Sequence, residues 1–222
     1  MAIKENDKIR LDNGKTITIL KKLGSGGQGT VYKVDYPGQG EFALKWYKPS
    51  YLNGLDERHK NGKKLFKQNI QENINKGSPN DKFLWPIMLT EEFEDSFGYI
   101  MNLRPAGYSD FSDIINTHDK DGKPVKFKSF RAAVESALCI INAFRALHKK
   151  GYFYLDLNDG NFFIHTETGD VLICDNDNVT ASPKFNLGMP GYIAPELVSG
   201  KSKKSNLLTD YHSLGVVLFK LF

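Results

Sequence analysis

Tyr154-Leu155-Asp156-Leu157-Asn158-Asp159-Gly160-Asn161 places an amide five residues behind a carboxylate, and a second acid, Asp175, closes the apolar run Val171-Leu172-Ile173-Cys174 fourteen residues further on. Residues 161–164 and 171–174 read as a short hairpin whose turn is His165 to Asp170, which would bring the three oxygen-bearing side chains together. One carboxylate can orient a hydroxyl, while an amide and a second carboxylate suit a hard divalent cation. Phosphoryl transfer from a nucleoside triphosphate requires such a set.

Upstream, Thr16–Leu20, Thr30–Val34 and Glu41–Trp46 are rich in β-formers and are separated by Gly and Pro turns, which predicts an antiparallel sheet. Phe83–Met88 and Phe97–Leu103 read as two more strands, making five. The first turn is Gly24-Ser25-Gly26-Gly27-Gln28-Gly29, followed by Thr30-Val31. Glycines there let backbone amides approach phosphates; a flexible hairpin turn accounts for the same residues. The β-formers after Gly29 lead into a strand, whereas a Rossmann phosphate loop must open a helix. Leu65, Phe66, Ile70 and Ile74 stand at helical spacing before Gly77-Ser78-Pro79. A longer amphipathic helix is expected from Phe130 to Leu147, with residues 130, 134, 137, 138, 141 and 144 as its buried face. Downstream stand Gly188-Met189-Pro190-Gly191-Tyr192-Ile193-Ala194-Pro195-Glu196 and Asp210-Tyr211-His212-Ser213-Leu214-Gly215.

In this order the segments resemble those of the protein kinase family: the glycine loop, Phe42-Ala43-Leu44-Lys45, the loop around Asp156, the strand ending at Asp175, and the Ala194-Pro195-Glu196 stretch. The resemblance runs from about Thr16 to Phe222 and is closest to a divergent, bacterial-type Ser/Thr kinase domain. It implies an α+β, bilobal fold: a five-stranded antiparallel lobe with one helix over 1–103 and a mainly helical lobe over 104–222, with ATP between them. Arg104–Gly107 is the expected hinge.

What the resemblance implies for single residues follows the motifs. Gly24, Ser25, Gly26, Gly27, Gln28, Gly29, Val31 and Ala43 would surround the nucleotide. Lys45 would hold its phosphates, paired with a helix glutamate, Glu72 or in reserve Glu57. Met101 would guard the back of the adenine pocket, and Asn102 and Leu103 would offer backbone groups to the base. Asp156 would orient the substrate hydroxyl, Asn161 and Asp175 would bind Mg2+ or Mn2+, and Asp210 would cap backbone amides. Thr180 and Ser182 are candidate phosphorylation sites.

The departures carry expectations as well. Tyr154-Leu155 stand where the family has His-Arg, and Asn158 stands where it has a lysine. Asn176-Asp177 replace Phe-Gly, so the usual switching of that segment is in question, and Asp177 is a candidate second metal ligand. These changes leave two rivals open: a pseudokinase that binds nucleotide or a partner, and a small-molecule kinase, against which Ala194-Pro195-Glu196 argues. The apolar run ending at Phe222 suggests a fragment, with further helices or a fused domain beyond it.

Bulk properties agree. With 222 residues, 40% hydrophobic content and a net charge of +4, the chain has a sizeable core and no basic surplus that argues for nucleic acid or membrane partners. No window approaches the roughly eighteen apolar residues of a membrane span. Cys139 and Cys174 lie in apolar runs and read as buried thiols in a cytoplasmic setting. A protein substrate is the expected partner.

Overall fold

A computed structural model describes residues 3–183 and 188–222. The chain divides into two compact units, Met1–Gly77 with Trp85–Arg104, and Ser78–Leu84 with Pro105–Phe222. No helix among the described residues is long and apolar enough to cross a membrane.

The first unit is built on β1 (Lys8–Arg10), β2 (Thr16–Ser25), β3 (Gly29–Tyr36) and β4 (Gly40–Tyr47), then α1 (Pro49–Arg58) and α2 (Gly62–Lys76), then β5 (Met88–Leu89) and β6 (Gly98–Asn102). The strands form one antiparallel sheet in the order β1-β2-β3-β4-β6-β5. Alternation decides its faces. Ile17, Ile19, Tyr32, Val34, Leu44, Trp46 and Ile100 point to one side, where they pack with Ile9 and Leu11. The opposite side carries Val31, Ala43, Lys45 and Met101, and there the Tyr47 ring meets Phe66 of α2 at 5.1 Å and Phe97 at 5.2 Å. Helix α2 stops where Gly77 adopts φ 72 and returns its amide to the Asn73 carbonyl at 3.0 Å.

The sheet has six strands where five were expected, because Lys8–Arg10 adds a strand against Thr16–Thr18. There are two helices rather than one. Residues 49–58 form α1, started by Pro49 and anchored by buried Leu52. The strand expected over 83–88 is also corrected. Its first part, with 78–82, belongs to the second unit: Leu84 donates its amide to the Ile173 carbonyl at 2.8 Å, and Ile173 donates to Lys82 at 2.7 Å. Only Met88–Leu89 joins the large sheet.

The second unit contains β7 (Ser109–Asp110), α3 (Phe111–Ile115), α4 (Phe130–Lys149), β8 (Phe153–Tyr154), β9 (Phe162–Ile164), β10 (Val171–Ile173), β11 (Val179–Thr180), α5 (Pro195–Val198) and α6 (Leu207–Lys220). The hairpin β9–β10 pairs Phe162 with Ile173 and Ile164 with Val171, and β7 flanks it. Helix α4 starts on Ser129, whose hydroxyl accepts the Ala132 amide at 3.1 Å. Its buried residues are Ala132, Ala133, Ser136, Ile140, Ala143, Phe144 and Leu147, while Phe130, Leu138 and Ile141 are exposed. Of the expected face Phe144 is buried and residues 134 and 137 are half-buried, so the true face is rotated from the expected one rather than opposite to it. Helix α6 is capped by Asn206, which accepts the Leu208 amide at 2.8 Å.

Candidate active site

In the first unit, sheet register gathers the sequence-predicted nucleotide residues. Gly24 pairs with Val31 and Val31 with Lys45, while Ala43 pairs with Met101, so these side chains share the face opposite the Leu44–Trp46 core. Ala43 and Met101 are buried, Leu103 is half-buried and Asn102 is exposed at the end of β6. The turn between β2 and β3 is closed by Gly26 donating to the Gly29 carbonyl at 2.9 Å, with the Ser25 and Thr30 hydroxyls 3.1 Å apart. The glycines differ in what they need. A Cβ on Gly29 would lie 2.3 Å from the Trp46 carbonyl oxygen, so the fold itself excludes one. At Gly24, Gly26 and Gly27 a Cβ would meet nothing within 4 Å. That bare backbone fits close approach by a phosphate chain.

Lys45 is 4% exposed, and its ammonium donates to the Gln28 side-chain oxygen at 2.8 Å. The expected pair with Glu72 is not formed. Ile70 and Asn73 face inward on α2, and Glu72, about 100° round the helix from Asn73, points to solvent. Glu57 is exposed on α1.

In the second unit, the stretch from β8 to β9 is a turn that folds on itself. Asn158 accepts the Gly160 amide at 2.9 Å, and Asn161 returns its side-chain oxygen to the Asn158 amide at 2.7 Å. This reciprocal cap fixes Asn161, which is 4% exposed. Cys174 donates its amide to the Asn161 carbonyl at 2.9 Å, setting Asp175 beside it. Asp175 adopts φ 56 and is half-buried, as is Asp156. Oxygen donors from an amide and a carboxylate on neighbouring segments fit Mg2+, since a second lone pair on the Asn161 oxygen is left for a ligand. Asn176 and Asp177 are wholly buried.

Tyr154 is buried beneath this turn; its hydroxyl donates to the Cys174 carbonyl, and burial pushes its pKa well above the usual tyrosine range. The profile of the family described as protein kinase domain matches residues 17–222. The chain belongs to the protein kinase family. Among relatives of this kinase domain, the cGMP-dependent protein kinase, isozyme 2 forms cD5/T2, of Drosophila melanogaster is 26% identical, over 98% of this chain and 22% of its own length. The serine/threonine-protein kinase MPS1 of Encephalitozoon cuniculi is 27% identical, over 99% of this chain and 35% of its own. The domain thus spans about a fifth to a third of these curated relatives. The solved Mycobacterium tuberculosis PknI kinase domain shares the fold, with a TM-score of 0.69 at 20% identity, covering 100% of this chain and 77% of that one.

Elsewhere in the kinase domain, Asp210 of α6 accepts the Tyr154 amide at 2.8 Å and lies 3.0 Å from Nε2 of His148. Burial raises the pKa of its carboxyl, and these partners only partly offset that. Within 188–196, Tyr192 and Ala194 are buried, and Met189 is half exposed. Lys220 donates to the Tyr192 hydroxyl at 2.5 Å and lies 3.7 Å from Asp159. Thr180 accepts the Ser182 amide at 3.1 Å, a local turn; residues 184–187 lie outside the described residues. Neither cysteine is in a disulfide; Cys174 is buried and Cys139 only half-buried.

Sequence reasoning missed one group outright. Asp170 accepts from Lys82 at 2.7 Å and from the Tyr108 hydroxyl at 2.5 Å, fastening three segments of the second unit together. Partners 62 and 88 residues away leave no local signal.

Proposed function

We propose that this domain transfers the γ-phosphoryl group of ATP to Ser or Thr hydroxyls of a protein substrate, in a cytoplasmic setting. The observation that carries the proposal is the Asn161–Cys174 bond, which sets Asp175 beside the capped turn of Asp156 and Asn161. Asn161 and Asp175 would hold Mg2+, or Mn2+ in its place. A bound divalent ion supplies charge neutralisation on the phosphates. Gly24, Gly26 and Gly27 admit the phosphates to bare backbone, and Lys45 gives them a buried cation. Val31, Ala43 and Met101 offer an apolar surface to the base, with Asn102 and Leu103 at its edge. Asp156 accepts a hydrogen bond from the substrate hydroxyl and takes its proton.

A second reading, a nucleotide-binding pseudokinase, is favoured by one observation: Glu72, the expected partner of Lys45, is exposed on α2. Incubation with γ-labelled ATP and Mg2+ or Mn2+ tests both. Label on protein that drops at least about a hundredfold in Asp156→Ala supports transfer. No label, with a nucleotide-dependent rise in Tm, supports the second reading, and neither response overturns both.

A further inference from the structure

Asn176 follows Asp175, and its side chain is 0% exposed. A residue that fills space at such a position is ordinarily apolar, because an amide taken out of water must find partners for its two donors. Here both find them. Nδ2 donates to the Leu84 carbonyl at 3.0 Å and to the Ile173 carbonyl at 2.9 Å. The two carbonyls also fix the orientation of the amide, since the flipped form would set oxygen against oxygen. Oδ1 is buried without a protein partner among the described residues, so the donors alone hold the group.

The consequence falls on Asp175. Its φ of 56 and ψ of 41 lie in the left-handed region, which a non-glycine residue occupies at a cost and keeps only when its surroundings hold it there. On one side Cys174 is tied to Asn161, and on the other Val179 pairs with Tyr154. Between them, Asn176 ties the turn to the Leu84 segment and to β10.

We propose that Asn176 is a positioning residue: its two buried hydrogen bonds lock the turn that carries Asp175, so that the carboxylate is kept beside Asn161 whether or not nucleotide is bound. This rests on the assignment of Asp175 as a metal ligand. The turn is held in one arrangement, because leaving it would strand the Leu84 carbonyl and the Asn176 amide in the interior, the Ile173 carbonyl keeping the Leu84 amide. Control of such a domain must then act elsewhere than on this turn.

The test separates metal from nucleotide. Mn2+ binding in the presence of a non-hydrolysable ATP analogue is followed by electron paramagnetic resonance, and analogue binding without metal by thermal shift. Asn176→Leu keeps side-chain size but has no donors. It is expected to weaken Mn2+ at least tenfold and to leave metal-free analogue binding within twofold. Asp175→Asn is the control. If it loses Mn2+ while Asn176→Leu does not, the lock is overturned and the metal site stands. If Asp175→Asn also keeps Mn2+, both fall. Should Asn176→Leu fail to fold, hydrogen exchange on the unmodified chain decides. Amides 174–180 are expected to be as protected as the β9–β10 hairpin, with and without Mg2+ and analogue; rapid exchange in the free protein that slows on binding overturns the lock.

Discussion

Lys45 and Gln28, seventeen residues apart, are joined by a 2.8 Å hydrogen bond that ties the glycine turn to β4. A buried ammonium needs such partners, and a helix carboxylate at Glu72 does not supply one. Gln28→Ala should therefore lower stability by about 1–2 kcal/mol. In a Lys45→Met background the same change should cost far less, giving a coupling of about 1 kcal/mol or more in a denaturation cycle. Additivity within about 0.3 kcal/mol would show that the bond contributes nothing.

The two kinds of glycine in the turn should separate by assay. Gly29→Ala forces a Cβ to within 2.3 Å of the Trp46 carbonyl, and is expected to destabilise by about 1–3 kcal/mol in chemical denaturation. Gly27→Ala meets nothing, so stability should stay within about 0.5 kcal/mol of the parent. Its effect should appear in nucleotide affinity instead, about tenfold weaker by calorimetry, equivalent to about 1.4 kcal/mol. Equal affinity in parent and Gly27→Ala would remove this turn from the phosphate site.

What was legible in the sequence was local. The Asp156–Asn161 spacing, the β9–β10 hairpin and the strand alternation that puts Val31, Ala43 and Lys45 on one face follow from neighbours within a few residues. What failed depended on contacts between elements. On α4 the bulky residues Phe130, Leu138 and Ile141 suggested the buried face, yet they are exposed, and the small residues Ala132, Ala133 and Ser136 hold the buried face of its first turns. The hairpin turn explains why: a Cβ on Gly169 would lie 2.4 Å from the Ala132 carbonyl and 3.0 Å from the Ser136 amide, so that turn rests directly on the helix backbone. Glu72 failed for a related reason, since one residue along a helix rotates a side chain by about 100°. The polar lock at Asn176 was invisible, because its partner Leu84 lies 92 residues away.

Asp170 gives a pH signature. Burial pushes its carboxyl up, but hydrogen bonds from Lys82 and Tyr108 outweigh this, and the net shift is downward. A carboxyl with a depressed folded value adds stability above its unfolded value, near 3.8, and loses it as pH falls through the folded one. Asp170→Asn should therefore be less stable than the parent at pH 7, and the gap should close below about pH 4. A gap that persists unchanged at pH 2.5 would mean that shape, not charge, is what Asp170 contributes. On the alkaline side the Tyr108 hydroxyl is pushed up to about 12, by burial first and Asp170 second. It keeps its proton in the fold after the unfolded chain has lost it, so stability should fall between about pH 10 and 12, and Tyr108→Phe should flatten that slope.

Asp210 serves two groups with one oxygen, the Tyr154 amide and His148. Asp210 is 2% exposed and Tyr154 is buried with it, so the Tyr154 amide cannot turn to water when the carboxylate is removed. Asp210→Ala is expected to cost about 2–4 kcal/mol, through lost bonds and an orphaned Tyr154 amide. Asp210→Asn retains an acceptor of the same shape and should cost about half as much or less. The raised pKa adds a second distinction. The folded carboxyl holds its proton to higher pH than the unfolded one, so its contribution weakens as pH rises through the folded value. Asparagine does not titrate, and the deficit of Asp210→Asn relative to the parent should shrink across that same interval. A deficit that instead grows with pH would mean that the ion pair with His148 outweighs desolvation, and the sign assigned to Asp210 would have to be reversed.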